Sequence, residues 1–243
     1  VAIGDLEACL AQADARRGLI HLAQAELGEV EVDGKTLTIR PVAYPGVRIV
    51  AAWKADSLDS LTDEERRTYE KAQGLVQQAK ANTENALALE AWLHDWLCQN
   101  VTYDNTNAGL WTGDGALQPE WTAASALLEG RANCQGFGDA FYLLGSLAGF
   151  DVRFQYGTVG GEAHCWTAIK LDDGQWYYVD VTYDNDIERF LPEGQTYAYL
   201  NFGTGRESRT LWPNSRSADI AESDNPAYDL YRQNGTAFDT LDS

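Results

Sequence analysis

The chain has 243 residues, of which 44% are hydrophobic and 6 are proline, and 18 Lys and Arg stand against 37 Asp and Glu for a net charge of −19. This is the composition of a folded protein, one large domain or a core with a smaller companion, and not of a disordered acidic tail. It excludes nucleic acid and disfavours an anionic membrane surface, because both are held by clustered Lys and Arg, and here the basic residues interleave with acids, as in Asp63-Glu64-Glu65-Arg66-Arg67.

In chain order, Leu6 to Ala25 are helix formers with apolar positions at Leu6, Leu10, Leu19, Ile20 and Leu22, which predicts a helix that Gly18 interrupts. Val30 to Val32 and Leu37 to Ile39 alternate around an Asp33-Gly34 turn signal, and Val47 to Trp53 reads as a further strand. Residues 1–60 are therefore expected to form a small α+β N-terminal region, whose role the sequence does not reveal. Thr62 and Glu65 make a capping box that opens a helix to about Lys80, and a second helix runs from about Glu84 to Gln99 with Ala86, Leu89, Leu93 and Trp96 or Leu97 on its apolar face.

Trp111 to Trp121 is a loop, and Thr122 to Leu128 is a short helix ending at Gly130. Cys134 opens the next helix, whose apolar stripe is Phe137, Phe141, Leu144 and Ala148 and whose stop is Gly149. Strands are predicted over Val152 to Tyr156, His164 to Leu171 and Trp176 to Val181. A core over residues 61–205 and a polar wrapping tail over 206–243 complete the expected organisation. The longest apolar run, Ala140 to Phe150, holds two glycines and falls short of the roughly 18 to 20 residues that span a bilayer, so no membrane insertion is expected. Val-Thr-Tyr-Asp-Asn occurs at Val101 to Asn105 and again at Val181 to Asn185, but the flanks share nothing, which makes coincidence the better account than duplication.

Four cysteines, Cys9, Cys98, Cys134 and Cys165, are too sparse for a disulfide scaffold in a chain of this size. Cys134 falls in the first turn of its helix, where orphan N–H groups and the positive end of the dipole stabilise a thiolate and supply donors for an oxyanion. His164 begins a strand 30 residues later and Asp180 ends the next strand. A cysteine nucleophile needs an imidazole to take its proton and return it to the leaving group, and the imidazole needs a carboxylate to fix its tautomer. Each residue alone has an ordinary structural reading; the three in this order point to nucleophilic catalysis.

The stretch Thr122 to Phe137, centred on Gly130-Arg131-Ala132-Asn133-Cys134-Gln135-Gly136, resembles the nucleophile segment of bacterial transglutaminase-like proteins. His164-Cys165-Trp166-Thr167 and Trp176 to Asp184 resemble that superfamily's histidine and aspartate segments, and Val101-Thr102-Tyr103-Asp104 its upstream marker. The resemblance covers roughly Leu89 to Tyr199. It implies an α+β, papain-like core with the cysteine helix packed on an antiparallel sheet, Cys134 as nucleophile, His164 as base and Asp180 as orienter. Gly138 and Cys165 stand where alanine is usual, Thr167 where asparagine is common and Tyr183 where tryptophan is common; none of these removes a catalytic atom.

Other candidates carry less. His21 and His94 lie on predicted helices away from other ligand-type residues and read as core or surface histidines; no Cys-Xaa-Xaa-Cys or His-Glu-Xaa-Xaa-His pattern is present, so neither a metal nor a cofactor is expected. Asp184, Asn185 and Asp186 resemble a fragment of a calcium loop without its glycine and closing glutamate, and read as a solvated turn. Among Trp111, Trp121, Trp166 and Trp176, Trp166 shares the His164 face and is the candidate wall of a substrate site, with Tyr103 as a second wall or oxyanion residue. Asn100-Val101-Thr102 and Asn234-Gly235-Thr236 fit the glycosylation pattern at about the frequency chance supplies. The absence of Met and the start at Val1 lead to the expectation of an extracytoplasmic or cell-surface protein, with the cytoplasm left open.

The reading that follows is a thiol enzyme acting on a peptide or carboxamide carbonyl of a protein or peptide substrate through a Cys134 thioester. Water as acceptor makes it a peptidase or amidase, which the bacterial resemblance favours; a lysine amine makes it a protein cross-linker. The alternative is a catalytically idle surface module that binds peptide or glycan in an aromatic cleft. Parity gives a sharper expectation. A two-residue Asp173-Gly174 turn would put Asp180 opposite Thr167, on the wrong face, whereas a three-residue loop of Asp172, Asp173 and Gly174 puts it opposite Trp166, on the His164 face. That loop requires a positive φ at Gly174. Cys165, next to His164, should then face the opposite side of the sheet and be buried.

Overall fold

A computed structural model of the chain describes residues 29–33, 36–40, 44–107, 117–159, 162–187, 197–202, 212–213, 225, 227–228 and 230. The helix expected over Leu6 to Ala25, together with Cys9, His21, Trp111 and the triplet at Asn234, lies outside them. Strands β1 (Glu29–Asp33) and β2 (Thr36–Arg40) pair antiparallel with Asp33 opposite Thr36, the hairpin read from the alternation.

The segment predicted as a strand from Val47 is instead helix α1 (Pro45–Lys54). Pro45 occupies its first turn, where a missing N–H costs nothing, and Gly46, Ile49, Val50 and Ala52 are its buried residues. Helix α2 (Asp63–Asn82) opens with the predicted capping box: Thr62 N–H donates to Glu65 Oε2 at 2.9 Å and Glu65 N–H to Thr62 Oγ1 at 3.3 Å. The other Glu65 oxygen accepts Arg48 Nε at 2.6 Å, so one carboxylate caps α2 and ties it to α1. Helix α3 (Ala86–Asn100) is capped by Asn85, whose side chain accepts the Ala88 N–H.

Two short parallel strands, β3 (Thr102–Tyr103) and β4 (Arg131–Ala132), lead into helix α4 (Cys134–Ala148). Antiparallel strands β5 (Asp151–Val159), β6 (Glu162–Lys170) and β7 (Trp176–Val179) follow, then helix α5 (Val181–Ile187), β8 (Leu200–Phe202) and β9 (Trp212–Pro213), in the sheet order β8-β7-β6-β5-β9. The third strand stops at Val179, two residues short of its predicted end, because Asp180 turns the chain into α5.

Helix α4 is buried on every side from Gly136 to Ser146, more than its apolar stripe predicted. One side lies against the sheet, where Gly138 allows close approach to Phe154 and Cys165, and the others meet α1, α2 and α3. Phe137, Phe141, Leu143 and Leu144 join Ile49, Leu93, Leu97 and Ile169 in the main core. The far face of the sheet carries a second cluster of Trp166, Ala168, Trp176, Tyr178 and Phe202. The result is the α+β architecture the resemblance implied, a cysteine-bearing helix on an antiparallel sheet. No described helix is long and apolar enough to cross a membrane.

Candidate active site

Cys134 is positioned by the residue before it. The Asn133 carboxamide oxygen accepts the N–H groups of Gln135 at 2.9 Å and Gly136 at 3.2 Å, so the Cys134 N–H is the first-turn donor that this cap does not take. Asn133 N–H donates in turn to the Glu120 carbonyl at 2.9 Å. A Cβ on Gly136 would fall on that same carbonyl oxygen, which is why the position is glycine. Cys134 itself is partly exposed, while Cys98 and Cys165 are buried, and none of the three is in a disulfide.

Pairing of β3 with β4 sets Tyr103 beside Ala132, through Thr102 N–H to Gly130 O and Asp104 N–H to Ala132 O, both at 2.8 Å. Tyr103 is 39% exposed there. Arg131 holds Asp104 at 2.9 Å, and the Thr106 hydroxyl and N–H, then Arg131, keep the Asp104 carboxyl down at about 2.

His164 and Asp180 meet across the β6–β7 hairpin in the register that parity demanded. Leu171 N–H donates to Gln175 O and Gly174 N–H to Leu171 O, Gly174 has φ +79°, and Thr167 lies opposite Val179. The next pair in that register is Trp166 with Asp180. His164 Nε2 is 2.6 Å from Asp180 Oδ2, and Asp180 is fully buried. Asp180 Oδ1 accepts the Tyr183 N–H at 3.2 Å, so the first turn of α5 fixes one oxygen while the other faces the imidazole.

The imidazole lies between two aromatic rings. Trp166 stacks on it at 5.9 Å and 18°, and Tyr183 tilts against it at 4.8 Å. Trp166 is 1% exposed, so it backs the imidazole from within the second cluster. Burial pulls His164 down, but the charge and hydrogen bond of Asp180, followed by a hydrogen bond and charge from Cys134, carry it up to about 10. With Nε2 engaged by Asp180, Nδ1 is the nitrogen left for the sulfur. Cys165 is 1% exposed on the sheet face toward α4, opposite His164, and forms no disulfide with Cys134.

The solvated turn expected at Asp184 to Asp186 is not what forms: Val181–Ile187 is helical and Asp184 is fully buried. Its Oδ2 pairs with His94 Nε2 at 3.1 Å, so the core histidine on α3 has a charged partner 90 residues away. The two Val-Thr-Tyr-Asp-Asn copies differ in conformation, strand against helix, yet meet in space: Asn185 donates to Val101 O at 2.8 Å, and Tyr103 bears electrostatically on Tyr183. From the sequence, Tyr183 is marked only as standing where tryptophan is common, with no role at the site. Burial, then Asp180, Tyr199, Cys134 and Tyr103, push its hydroxyl up to about 12. Its one sequence signal is its place in the aspartate segment, three residues after Asp180. Among the described residues no three His, Cys, Asp or Glu side chains converge in a metal-binding group.

The geometry defines a cysteine–histidine–aspartate centre at a helix N-terminus. Residues 69–181, which include all three side chains, match the model of the transglutaminase-like superfamily. No curated protein matches the sequence. Two solved structures are similar at low identity: a candidate cysteine protease from Cytophaga hutchinsonii, 19% identical over 47% of this chain with a TM-score of 0.38, and a transglutaminase, 15% identical over 63% with a TM-score of 0.42. The matched regions span 37% and 43% of those chains' own lengths.

Proposed function

We propose that the protein is a thiol acyl-transfer enzyme that acts on a peptide or carboxamide carbonyl through a thioester on Cys134. The observation that carries this reading is the chain Cys134–His164–Asp180, with its 2.6 Å imidazole–carboxylate contact; Asp180 and then Cys134 favour the charged imidazole. The Cys134 sulfur attacks the carbonyl carbon, and the developing oxyanion is received at the α4 N-terminus, where the Cys134 N–H and the helix dipole favour negative charge. Collapse breaks the C–N bond, the imidazolium gives its proton to the leaving amine, and a thioester remains. His164 then takes a proton from water or from an incoming amine as it attacks, and the sulfur leaves.

Hydrolysis is the acceptor reading we favour, on the resemblance to bacterial members. Partial exposure of Cys134 supports a working site over an idle binding module. Two assays run side by side test the proposal: cleavage of a mixed peptide pool, and incorporation of a labelled primary amine into a glutamine-bearing protein. Peptide cleavage that disappears in Cys134→Ala is expected; amine incorporation in its place would reassign the acceptor, and activity in neither assay would contradict the proposal.

A further inference from the structure

Helix α3 carries three polar side chains on one buried stripe, Glu90, His94 and Cys98, at successive spacings of four. None belongs to the Cys134 centre, yet the middle one is joined to it. His94 Nε2 lies 3.1 Å from Asp184 Oδ2, with both side chains at 0% exposure. The two Asp184 oxygens also accept the Tyr199 N–H, at 2.9 and 3.0 Å. The carbonyl of that residue accepts the Asp180 N–H at 2.9 Å, and Asp184 N–H returns to the Asp180 carbonyl at 3.3 Å. Hydrogen bonds therefore run without interruption from α3 through Asp184 and Tyr199 to Asp180 and His164.

The outer side of the network is also tied. His94 Nδ1 is 3.1 Å from Asp95 Oδ1, and the Tyr197 hydroxyl donates to Asp95 Oδ2 at 2.7 Å. The 197–199 segment is thus held to α3 at one end and to α5 at the other, and its Tyr199 ring packs on Tyr183, which packs on His164.

We infer that the buried His94–Asp184 pair is a positioning device for the catalytic carboxylate, gripping Tyr199 so that the backbone bearing Asp180 is held in line with His164. This rests on the acyl-transfer reading above. An ion pair fits the task because a buried, fully bonded charge is costly to move and its geometry is correspondingly fixed. The groups facing His94 are Asp95 and Cys98 on α3, Asp184 on α5 and Tyr197, with Glu90 one turn away. Burial pulls His94 down, but Cys98, Asp184 and Asp95 favour its charged form and hold it well above an ordinary histidine, while burial, opposed by His94, pushes Asp184 up.

The test reads the alkylation of Cys134 by iodoacetamide, followed by mass spectrometry between about pH 5 and pH 9, with the melting temperature of each variant measured alongside. Asp184→Asn and His94→Gln should each slow labelling at pH 6 by about 10- to 100-fold, the effect of misplacing a catalytic group by about 1 Å. Combining them should return the rate to within about threefold of wild type, because an Asn–Gln amide pair can restore both the contact and the Tyr199 acceptor. Asp95→Asn, at a partly exposed position, should fold and shift the pH profile in the same direction even if the single core variants do not fold. A wild-type rate and profile in folded Asp184→Asn, or in Asp95→Asn where the former does not fold, would make the pair structural only and overturn the inference. Slow labelling of wild-type Cys134 would instead remove the acyl-transfer reading, and this inference with it.

Discussion

Glu90 illustrates what a single buried acid does to this molecule. Its Oε2 accepts the Asn201 side-chain amide at 2.9 Å, while its Oε1 and the Asn201 Oδ1 are both buried without partners. A proton on Glu90 would let these two oxygens bond each other, and burial, opposed by Asn201 and His94, pushes the acid up from 4.5 to about 7. Between those values the native state keeps a proton that the unfolded chain has lost, so stability falls as pH rises through that window and stays low above it. Glu90→Gln carries a permanent donor in place of that proton. Its stabilising effect should be about 3 kcal/mol larger at pH 8 than at pH 4. Urea denaturation at the two pH values measures this, and an equal effect at both would show that Glu90 titrates alike in the folded and unfolded chain.

At the scale of elements, the β6–β7 hairpin decides whether the site exists. Asp173 stabilises the three-residue loop: its Oδ1 accepts the Gln175 N–H at 2.9 Å and its Oδ2 the Tyr177 hydroxyl at 2.6 Å. Deleting Gln175 while the three-residue loop is kept pairs Leu171 with Trp176 and moves Asp180 opposite Thr167, on the wrong face, because a one-residue slip turns every side chain over. The deletion should slow Cys134 alkylation at pH 6 by about 100-fold. Gly174→Ala, which keeps the loop length and meets nothing within 4 Å, should cost about 1 kcal/mol for its positive φ and leave labelling intact. Equal labelling in wild type and the deletion would disprove the parity argument.

That hairpin was legible because alternation, loop length and the need for glycine at a left-handed position are all local. Helix α1 was not: Val47-Arg48-Ile49-Val50 is dense in β-branched residues, and what makes it helical is Pro45 at its first turn and a buried face against α4. The signal lay just upstream, in Pro45-Gly46. Gly46 donates its N–H to Asp139 on α4 at 3.1 Å, a partner 93 positions away that no window contains. The same holds for Glu90, which nothing local marked, for His94, which read as a core or surface histidine, and for Asp184, which read as part of a solvated turn. Their burial depends on segments that become neighbours only in the folded chain.

For the molecule as a whole, the net charge of −19 bears on the proposed substrate. Such a surface repels polyanions and steers cationic chains, over a range that screening limits to about 10 Å at 0.1 M salt. Peptides flanked by Lys or Arg should be turned over with higher kcat/KM than the same peptides flanked by Asp or Glu, and the gap should narrow as salt is raised. Measuring both series at low and high ionic strength checks this; a preference for the acidic series would place a basic surface at the cleft. The same scale accounts for rigidity at the cysteine. Asp139 on α4 gathers the N–H groups of Gly46 and Ala123 on one oxygen, joining α1 and the segment before β4 to the helix that carries Cys134.

The central claim is that Cys134 is an activated nucleophile paired with His164. Its most direct test is the rate of Cys134 alkylation at pH 6 in wild type and in His164→Ala, with the buried Cys98 and Cys165 as internal references. The His164–Asp180 contact favours the charged imidazole, so wild-type Cys134 should label rapidly at pH 6. The variant should lose about 100-fold or more, because it removes the cation that favours the thiolate. Slow wild-type labelling, or a rate unchanged by the loss of His164, would contradict the account.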